Sequence, residues 1–259
     1  MEFRPCIDIH NGKVKQIVGG TLRDEGDAAR ENYVSEKNAA WYAKLYREMG
    51  LANGHIILLN PPSSSYYEAT LAQAREALAA WPQGMQIGGG VTAENAAGFL
   101  EAGASHVIVT SYVFRDGRID WDRLEKLSVS VGKDHLVLDV SCRKKDGRYY
   151  IVTDRWQKFT EMEVSRETLR RLEPWCSEFL IHAADVEGKA SGVERDLVRI
   201  LAEHARIPVT YAGGVGSYED LRWLADTGNG RIHVTVGSAL DLFGGPLEFR
   251  KVIGFCKKA

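Results

Sequence analysis

Two aspartates, Asp8 and Asp139, stand where carboxylates could transfer protons. Each ends a short apolar run, Pro5–Asp8 in the first half of the chain and Leu136–Asp139 in the second. We therefore expect each side chain to lie where a buried strand meets a loop. Two carboxylates on opposite sides of a small substrate could act as general acid and general base. A cap or an ion pair is the simpler role for either aspartate alone.

Other polar and aromatic residues at predicted strand ends or in loops could orient a substrate. His10 and His182 could polarise or orient its groups, and Asp185 could position it. Trp156, in a polar loop, could stack on a planar heterocycle. Hydrogen-bonded structural histidines, a structural aspartate and a tryptophan packed within its own loop remain the alternatives.

Glycine-rich turns predict two sites for anions. Each turn follows a strand and precedes a helix, where backbone N–H groups can bind a phosphate. The strand after each turn ends in a hydroxyl-bearing pair that could complete the cradle. The candidate residues are Gly89, Gly90, Thr110 and Ser111 in the first half, and Gly213, Gly214, Gly237 and Ser238 in the second. A tight turn without a ligand is the alternative for a single turn, but two matching cradles predict a ligand with two phosphates.

These residues would be positioned by eight short apolar strands that alternate with eight amphipathic helices, a pattern typical of a (β/α)8 TIM barrel. An open doubly wound sheet is the structural alternative. The predicted strands are Arg4–Asp8, His55–Leu59, Met85–Gly88, His106–Thr110, His135–Asp139, Glu178–His182, Pro208–Tyr211 and His233–Gly237. The predicted helices are Asn38–Met49, Tyr66–Trp81, Ala93–Ala102, Trp121–Ser128, Ser165–Leu172, Val193–His204, Ser217–Asp226 and Leu247–Cys256.

The landmarks recur in the same order in both halves of the chain. An aspartate, a Gly-Gly-Val turn and a strand ending in serine appear first within residues 1–130 and again within 131–259. We therefore predict a single domain, 1–259, built from two half-barrel repeats. Two polar segments, Gly19–Glu36 and Arg143–Thr160, are expected to be long loops. Long loops in compact domains are often lids, and surface insertion is the plainer interpretation.

Composition excludes several functional classes. The formal net charge of −2 gives no basic field for nucleic acid or an anionic membrane. No secretory signal and no apolar span of membrane length is evident. The four cysteines are scattered, which argues against structural zinc and favours a reducing compartment, so we expect a cytoplasmic protein. We also expect a monomer that holds no metal ion.

Five segments together resemble a known family. CIDIHNGKVKQIVGGTL, LVLDVSCRKKDGRYYIV, FLIHAADVEGKASG, YAGGV and VGSALDLFGG are similar to the histidine-biosynthesis isomerases that act on phosphoribosylformimino-5-aminoimidazole carboxamide ribotide, in their eukaryotic variant. The resemblance covers nearly the whole chain. It implies an aldose–ketose isomerase of the Amadori type, a half-barrel repeat, no cofactor, and a small ribonucleotide substrate with a phosphate at each end.

The resemblance also implies roles for individual residues. Asp8 matches the family's general base and Asp139 its general acid, and Trp156 matches a tryptophan that closes over the substrate. We expect the acid to have a pKa raised toward neutrality and the base to stay ionised. Gln16 stands where bacterial relatives often carry an arginine, so it is a candidate for positioning the substrate. The segment Glu187–Gly192 also departs from the bacterial pattern in length.

Three alternatives remain open from the sequence. The sister cyclase of the pathway shares the repeat, but it would use a lysine such as Lys13 or Lys15 and a glutaminase partner. Phosphoribosylanthranilate isomerase runs the same chemistry with a cysteine base, and Cys6 shares the face of Asp8 one step deeper in the barrel. A non-catalytic phosphosugar-binding barrel would keep the glycine turns without needing both aspartates.

Overall fold

The fold is a ring of parallel strands surrounded by helices. The computed structural model describes residues 1–19, 21, 22, 26 and 28–258. The strands of the ring are β1 Cys6–His10, β2 Gly54–Leu58, β3 Met85–Gly88, β4 Val107–Val109, β5 Leu136–Asp139, β6 Glu178–His182, β7 Val209–Ala212 and β8 Ile232–Thr235. The helices are α1 Ala39–Glu48, α2 Tyr67–Ala80, α3 Ala96–Glu101, α4 Trp121–Val131, α5 Arg166–Leu172, α6 Arg195–His204, α7 Tyr218–Thr227 and α8 Phe249–Cys256.

The ring is closed between its first and last strands. Neighbouring strands pair in parallel in sequence order from β1 to β8. Phe3 then forms a parallel bridge to Val234, and the Arg4 N–H donates to the Val234 carbonyl at 2.8 Å. This closure excludes the open doubly wound sheet and confirms the predicted (β/α)8 barrel.

The core has an inner and an outer part. Inside the ring, Ile108, Val137 and Leu180 pack together with Ile57. The outer part lies between strands and helices, where α6 buries Leu197, Val198, Leu201 and Ala202 on one stripe, the pattern of an amphipathic helix. Asp139 follows Val137 by two positions, so it faces the same interior, one layer nearer the loops.

A buried ion pair spans the interior near the amino ends of the strands. The Arg4 guanidinium lies 2.6 Å from a carboxylate oxygen of Glu178, and both side chains are buried. Gln86 and Thr210 also donate hydrogen bonds to Glu178. Residues from three other parts of the ring therefore converge on the Glu178 carboxylate.

The segment predicted as the loop Arg143–Thr160 is largely strand, so that prediction was wrong. The strands Cys142–Lys145, Arg148–Thr153 and Lys158–Glu163 form an antiparallel sheet, called here the lid sheet. Its first turn consists of Asp146 and Gly147, whose φ values are 50° and 79°. Asp-Gly in this conformation is a preferred two-residue hairpin turn.

The segment predicted as the loop Gly19–Glu36 also contains a strand, Glu31–Val34, which pairs with the strand Lys13–Ile17. Residues 20, 23–25 and 27 of this segment lie outside the described residues. Lys13–Ile17 in turn forms a hairpin with β1 and extends it to His10. Asp8 therefore lies within β1. The predicted strand Arg4–Asp8 had placed it at the end, so that boundary was wrong.

No helix among the described residues is long and apolar enough to cross a membrane.

Candidate active site

The two predicted catalytic aspartates lie on opposite sides of the barrel mouth. Asp8 is on β1 and Asp139 on β5, which are four positions apart in a ring of eight strands. Both side chains are partly exposed, whereas the residues beside them in the strands are mostly buried. The carboxylates therefore face the same open end of the barrel from two sides.

A pocket at this end joins Asp8 to the second glycine cradle. Gln16, His55, His182 and Glu187 share its wall. The remainder of the lining comes from β1, from the loop after β6 and from the ends of β7 and β8: Cys6, Gly188, Ala190, Ala212, Gly213, Gly214, Val215, Thr235, Val236, Gly237, Ser238 and Ala239. The structure thus brings Asp8, Gln16, His182 and the whole second cradle together.

Glycine is required in the second cradle because the backbone is crowded. Gly213 has a φ of 115°, and a Cβ there would lie 2.9 Å from the Ala183 carbonyl oxygen. At Gly214, with a φ of 77°, a Cβ would lie 2.0 Å from a neighbouring carbonyl oxygen. A Cβ at Gly237 would meet Oε1 of Gln16 at 2.2 Å. A side chain at any of these positions would displace a wall of the pocket.

The first cradle has the same backbone form. Gly89 has a φ of 100°, and a Cβ there would lie 2.1 Å from the carbonyl oxygen of Leu58, at the end of β2. Gly90 follows with a φ of 69°. Gly213 packs in the same way against the carbonyl after β6. The first cradle follows β3 and β4, opposite β7 and β8 in the ring, and does not line the pocket.

The hydroxyls predicted for the first cradle have other partners. The Thr110 hydroxyl donates to Oδ2 of Asp139 at 3.1 Å. Ser111 Oγ accepts the N–H of Asp154, in the turn between the second and third strands of the lid sheet, at 3.4 Å. Thr110 therefore holds Asp139 in place, a role the sequence did not indicate.

Asp8 has a second carboxylate beside it. Burial raises the pKa of Asp8 to about 7. Burial, and secondarily the charge of Asp8, raise the pKa of Glu187 to about 7 as well. Among the residues that the structure describes, Glu187 Oε2 is buried without a hydrogen-bond partner. Sequence reasoning missed Glu187 as a site residue, although an acidic residue before Gly188 in a loop at the barrel mouth was a usable signal.

Asp139 lies in a more polar setting. One of its oxygens, Oδ1, accepts the Ser141 N–H at 2.8 Å and also the Ser141 hydroxyl. The hydroxyl oxygen in turn lies 3.1 Å from Nδ1 of His182 and accepts the His182 N–H at 2.9 Å. Burial lowers the pKa of His182, and the charge of Asp139 opposes that effect. Ser141 was also missed, and no feature of the sequence singles it out.

Of the other predicted positioning residues, Trp156 lies beside the pocket residue His182, whereas Asp185 and His10 have structural contacts. The Trp156 ring lies 5.3 Å from the His182 ring, and its residue has a φ of 64°. Asp185 accepts hydrogen bonds from Arg143 Nε and the Lys144 N–H, both at 2.8 Å, and ties the lid sheet to the loop after β6. Neither Asp185 nor His10, which is buried in β1, lines the pocket.

The fold and the site together define a (β/α)8 barrel with two carboxylates facing each other across the mouth and a glycine cradle on each flank. A family model described as "Histidine biosynthesis protein" matches residues 2–245. The chain belongs to this family.

Similar proteins from plants and fungi have the same name. Each is a 1-(5-phosphoribosyl)-5-((5-phosphoribosylamino)methylideneamino) imidazole-4-carboxamide isomerase. The Medicago truncatula relative, whose name adds "chloroplastic", is 50% identical over 98% of this chain and 81% of its own length. The Neurospora crassa relative is 48% identical over 94% of this chain and 93% of its own. The Saccharomyces cerevisiae relative is 42% identical over 95% of this chain and 94% of its own.

Proposed function

We propose that this chain catalyses the isomerisation for which its relatives are named, an Amadori rearrangement of an aminoaldose to an aminoketose in histidine biosynthesis. The substrate would be N-(5-phosphoribosylformimino)-5-aminoimidazole-4-carboxamide ribonucleotide. The observation that carries the proposal is the placement of Asp8 and Asp139 on opposite strands of the ring, between two glycine cradles that are themselves opposite.

This arrangement suits a ligand with a phosphate at each end. The cradle after β7 and β8 shares a pocket with Asp8, and the cradle after β3 and β4 adjoins Asp139 through Thr110. The loops after the seventh and eighth strands are a frequent phosphate site in this fold. A substrate held at both cradles would place its reacting sugar between the two carboxylates.

In the proposed mechanism, Asp139 protonates the ring oxygen of the ribose, and the ring opens to an iminium. Asp8 removes the proton from C2′ to give an enolamine. The enolamine then becomes the ketone when C1′ gains a proton and the C2′ hydroxyl loses one. The pKa of about 7 makes Asp8 a stronger base than an ordinary carboxylate, while part of it remains ionised at neutral pH.

That raised pKa belongs to the predicted base, whereas sequence reasoning had expected it for the acid. The physical reason is desolvation, because Asp8 lies in the pocket beside Cys6 and Glu187. A carboxylate that must take a proton from carbon gains from such a shift, since base strength rises with the pKa.

Two alternatives lose support from the geometry. A cysteine base at Cys6 would need a thiolate, and burial raises the pKa of that thiol well above its usual value. The cyclase would need Lys13 or Lys15. Lys15 is buried and paired with Glu31, and neither lysine lines the pocket that contains Asp8.

Location and assembly belong to the same proposal. All four cysteines are buried and free, which supports a reducing compartment, and we propose the cytoplasm. The single domain and the monomeric state stay predictions. Fractionation of the source cells would test the proposed location, and light scattering of the purified protein would test the monomeric state.

The first prediction concerns activity on the aminoaldose. Purified protein should convert it to the ketose, followed by the absorbance change. Asp8→Asn and Asp139→Asn should each reduce kcat by about 10²-fold or more, because each removes a proton-transfer group. Asp226→Asn, at an exposed position on α7, is the matched control and should keep full activity. An inactive parent protein would favour a phosphosugar-binding barrel, and activity on phosphoribosyl anthranilate alone would favour the other isomerase.

A further inference from the structure

Asp139 ends a chain of three groups that crosses from β5 to β6. Ser141 is fully buried, and its hydroxyl oxygen contacts both Asp139 Oδ1 and His182 Nδ1. The His182 N–H also donates to this oxygen. His182 lines the pocket. Asp139 is therefore connected to the pocket through Ser141 and His182.

Counting protons fixes the direction of each hydrogen bond. A serine hydroxyl has one proton to donate and two lone pairs to accept with. With Asp139 ionised, the Ser141 proton goes to the carboxylate, and one lone pair accepts the His182 N–H. The other lone pair must face a donor, so His182 Nδ1 carries the ring proton. In a neutral imidazole Nε2 is then an acceptor, and it is the nitrogen left for a group in the pocket.

We propose that Ser141 and His182 form a proton relay that recharges Asp139 during the reaction. The inference rests on the proposed function and adds two residues to it. His182 would accept a proton at Nε2, and its Nδ1 proton would pass to Ser141 Oγ. The original Ser141 proton would pass to Asp139 Oδ1. Asp139 ends protonated and His182 ends as the Nε2–H tautomer.

The proton for this transfer comes from the substrate. When the enolamine becomes the ketone, the C2′ O–H bond breaks and its proton must leave, while Asp139 is still ionised after protonating the ring oxygen. Moving that proton through His182 and Ser141 restores the acid. The cycle closes because ring opening uses the same chain in reverse: the Asp139 proton passes to Ser141, the Ser141 proton passes to His182 Nδ1, and the Nε2 proton of His182 passes to the ring oxygen. His182 is then the Nδ1–H tautomer when the C2′ hydroxyl releases its proton. The proton that Asp8 took from C2′ goes to C1′, so the base is restored in the same turnover.

The residues packed around His182 keep its imidazole ring neutral and in one position. His55 meets the His182 ring edge-on at 5.9 Å, and burial lowers the pKa of His55 to about 3, so it adds no charge there. Trp156 covers His182 from the lid sheet. A neutral imidazole held by two rings can exchange one tautomer for the other without moving.

Kinetics of a matched pair of variants test the relay. His182→Asn retains an N–H donor near the position of Nδ1 but has no second nitrogen, so it can hold Ser141 without passing a proton. We expect kcat to fall about 10- to 100-fold with KM within about twofold, and Ser141→Ala to do the same. The double variant should lose no more than the worse single variant, since the groups act as a unit. Wild-type kcat in His182→Asn, or additive losses, would overturn the relay.

A spectroscopic measurement tests the same chain without turnover. At an alkaline pH, with Asp139 ionised, the imidazole ¹⁵N shifts of His182 in the parent protein should show the Nδ1–H tautomer. In Asp139→Asn, where the amide can donate to Ser141, they should show the Nε2–H tautomer. An unchanged tautomer would reject the relay, and thermal denaturation would verify folding of each variant. Failure of the parent protein to isomerise the aminoaldose would instead reject the proposed function, so the two failures are distinguishable.

Discussion

Asp8 and Glu187 place two carboxylates with raised pKa values in one pocket. An unfolded chain would ionise Asp8 near pH 3.8, and the folded chain does so only near pH 7. Between these values the folded state holds a proton that the unfolded state has lost. The free energy of unfolding therefore falls as the pH rises from about 4 to about 7, and the full loss is present above pH 7.

This linkage gives the second prediction. Asp8→Asn should be about 1–2 kcal/mol more stable than the parent protein at pH 8, where the parent must bury a charge. At pH 4 the two proteins should be equally stable, since both side chains are then neutral. Each pKa unit corresponds to about 1.4 kcal/mol, and the smaller figure allows for partial solvent screening. Urea unfolding at the two pH values measures the difference.

Asp139→Asn is the matched control for this measurement. Its carboxylate accepts bonds from Ser141 and Thr110, so the amide should leave donors unpaired and lower stability by about 1–2 kcal/mol at pH 8. If both variants changed stability with the same sign, desolvation would not be the feature that distinguishes the two aspartates.

At the scale of elements, the lid sheet connects the barrel to the mouth of the pocket. Its strand Cys142–Lys145 is attached through Asp185 to the loop that carries Glu187. At the turn between its second and third strands, Asp154, Arg155 and Trp156 all have positive φ, a conformation that costs free energy for residues other than glycine. The sheet thus holds Trp156 beside His182 in a strained turn.

The third prediction is that Asp185→Asn raises KM with little change in kcat. The amide nitrogen cannot accept the bond from Arg143 or Lys144, and losing about 1 kcal/mol of support for the closed lid corresponds to a threefold to tenfold rise in KM. Hydrogen exchange of the lid-sheet amides should become faster in the same variant.

Arg118→Gln provides the comparison, because it breaks an exposed ion pair with Glu161 on the same sheet. Exposed pairs contribute little, so KM should stay within about twofold. An equal effect of both changes would mean that Asp185 is not a specific anchor of the lid.

At the scale of the whole molecule, the buried pair of Arg4 and Glu178 links the start of the chain to β6. A buried carboxylate that loses its cation is costly, whereas removing both charges is much less so. The fourth prediction follows: Arg4→Met should lower the free energy of unfolding by about 3–5 kcal/mol. Arg4→Met with Glu178→Gln should recover much of that loss in urea unfolding. No recovery in the double variant would mean that the uncompensated charge is not the cause.

The barrel itself was predictable because its signals are local. Apolar strands alternate with amphipathic helices, and the Ser217 cap of α7 forms a full capping box with Asp220, as its residue type indicates. The lid sheet was predictable in principle from Asp146-Gly147 between runs of strand-forming residues, but its charged residues favoured a loop.

The candidate site was predictable only in part, because some of its contacts join distant segments. Ser141 and His182 are 41 residues apart and follow different strands, so the sequence around either residue does not predict their contact. The partner of Thr110 depends in the same way on the register of β4 against β5. Glu187, whose pKa is raised by burial and by the charge of Asp8, is brought into the same pocket by the loop after β6.

The closure of the barrel between its first and last strands has a consequence for synthesis on the ribosome. Thr235 donates to the carbonyl of Arg4 across 231 residues, and Phe3 bridges to Val234. Contacts this distant in sequence form late in folding. Phe3 leaves the ribosome long before Val234, so it must stay unpaired until β8 has been translated. A chain released before β8 is made would keep an open edge, so chaperones and proteases could distinguish it from the finished protein.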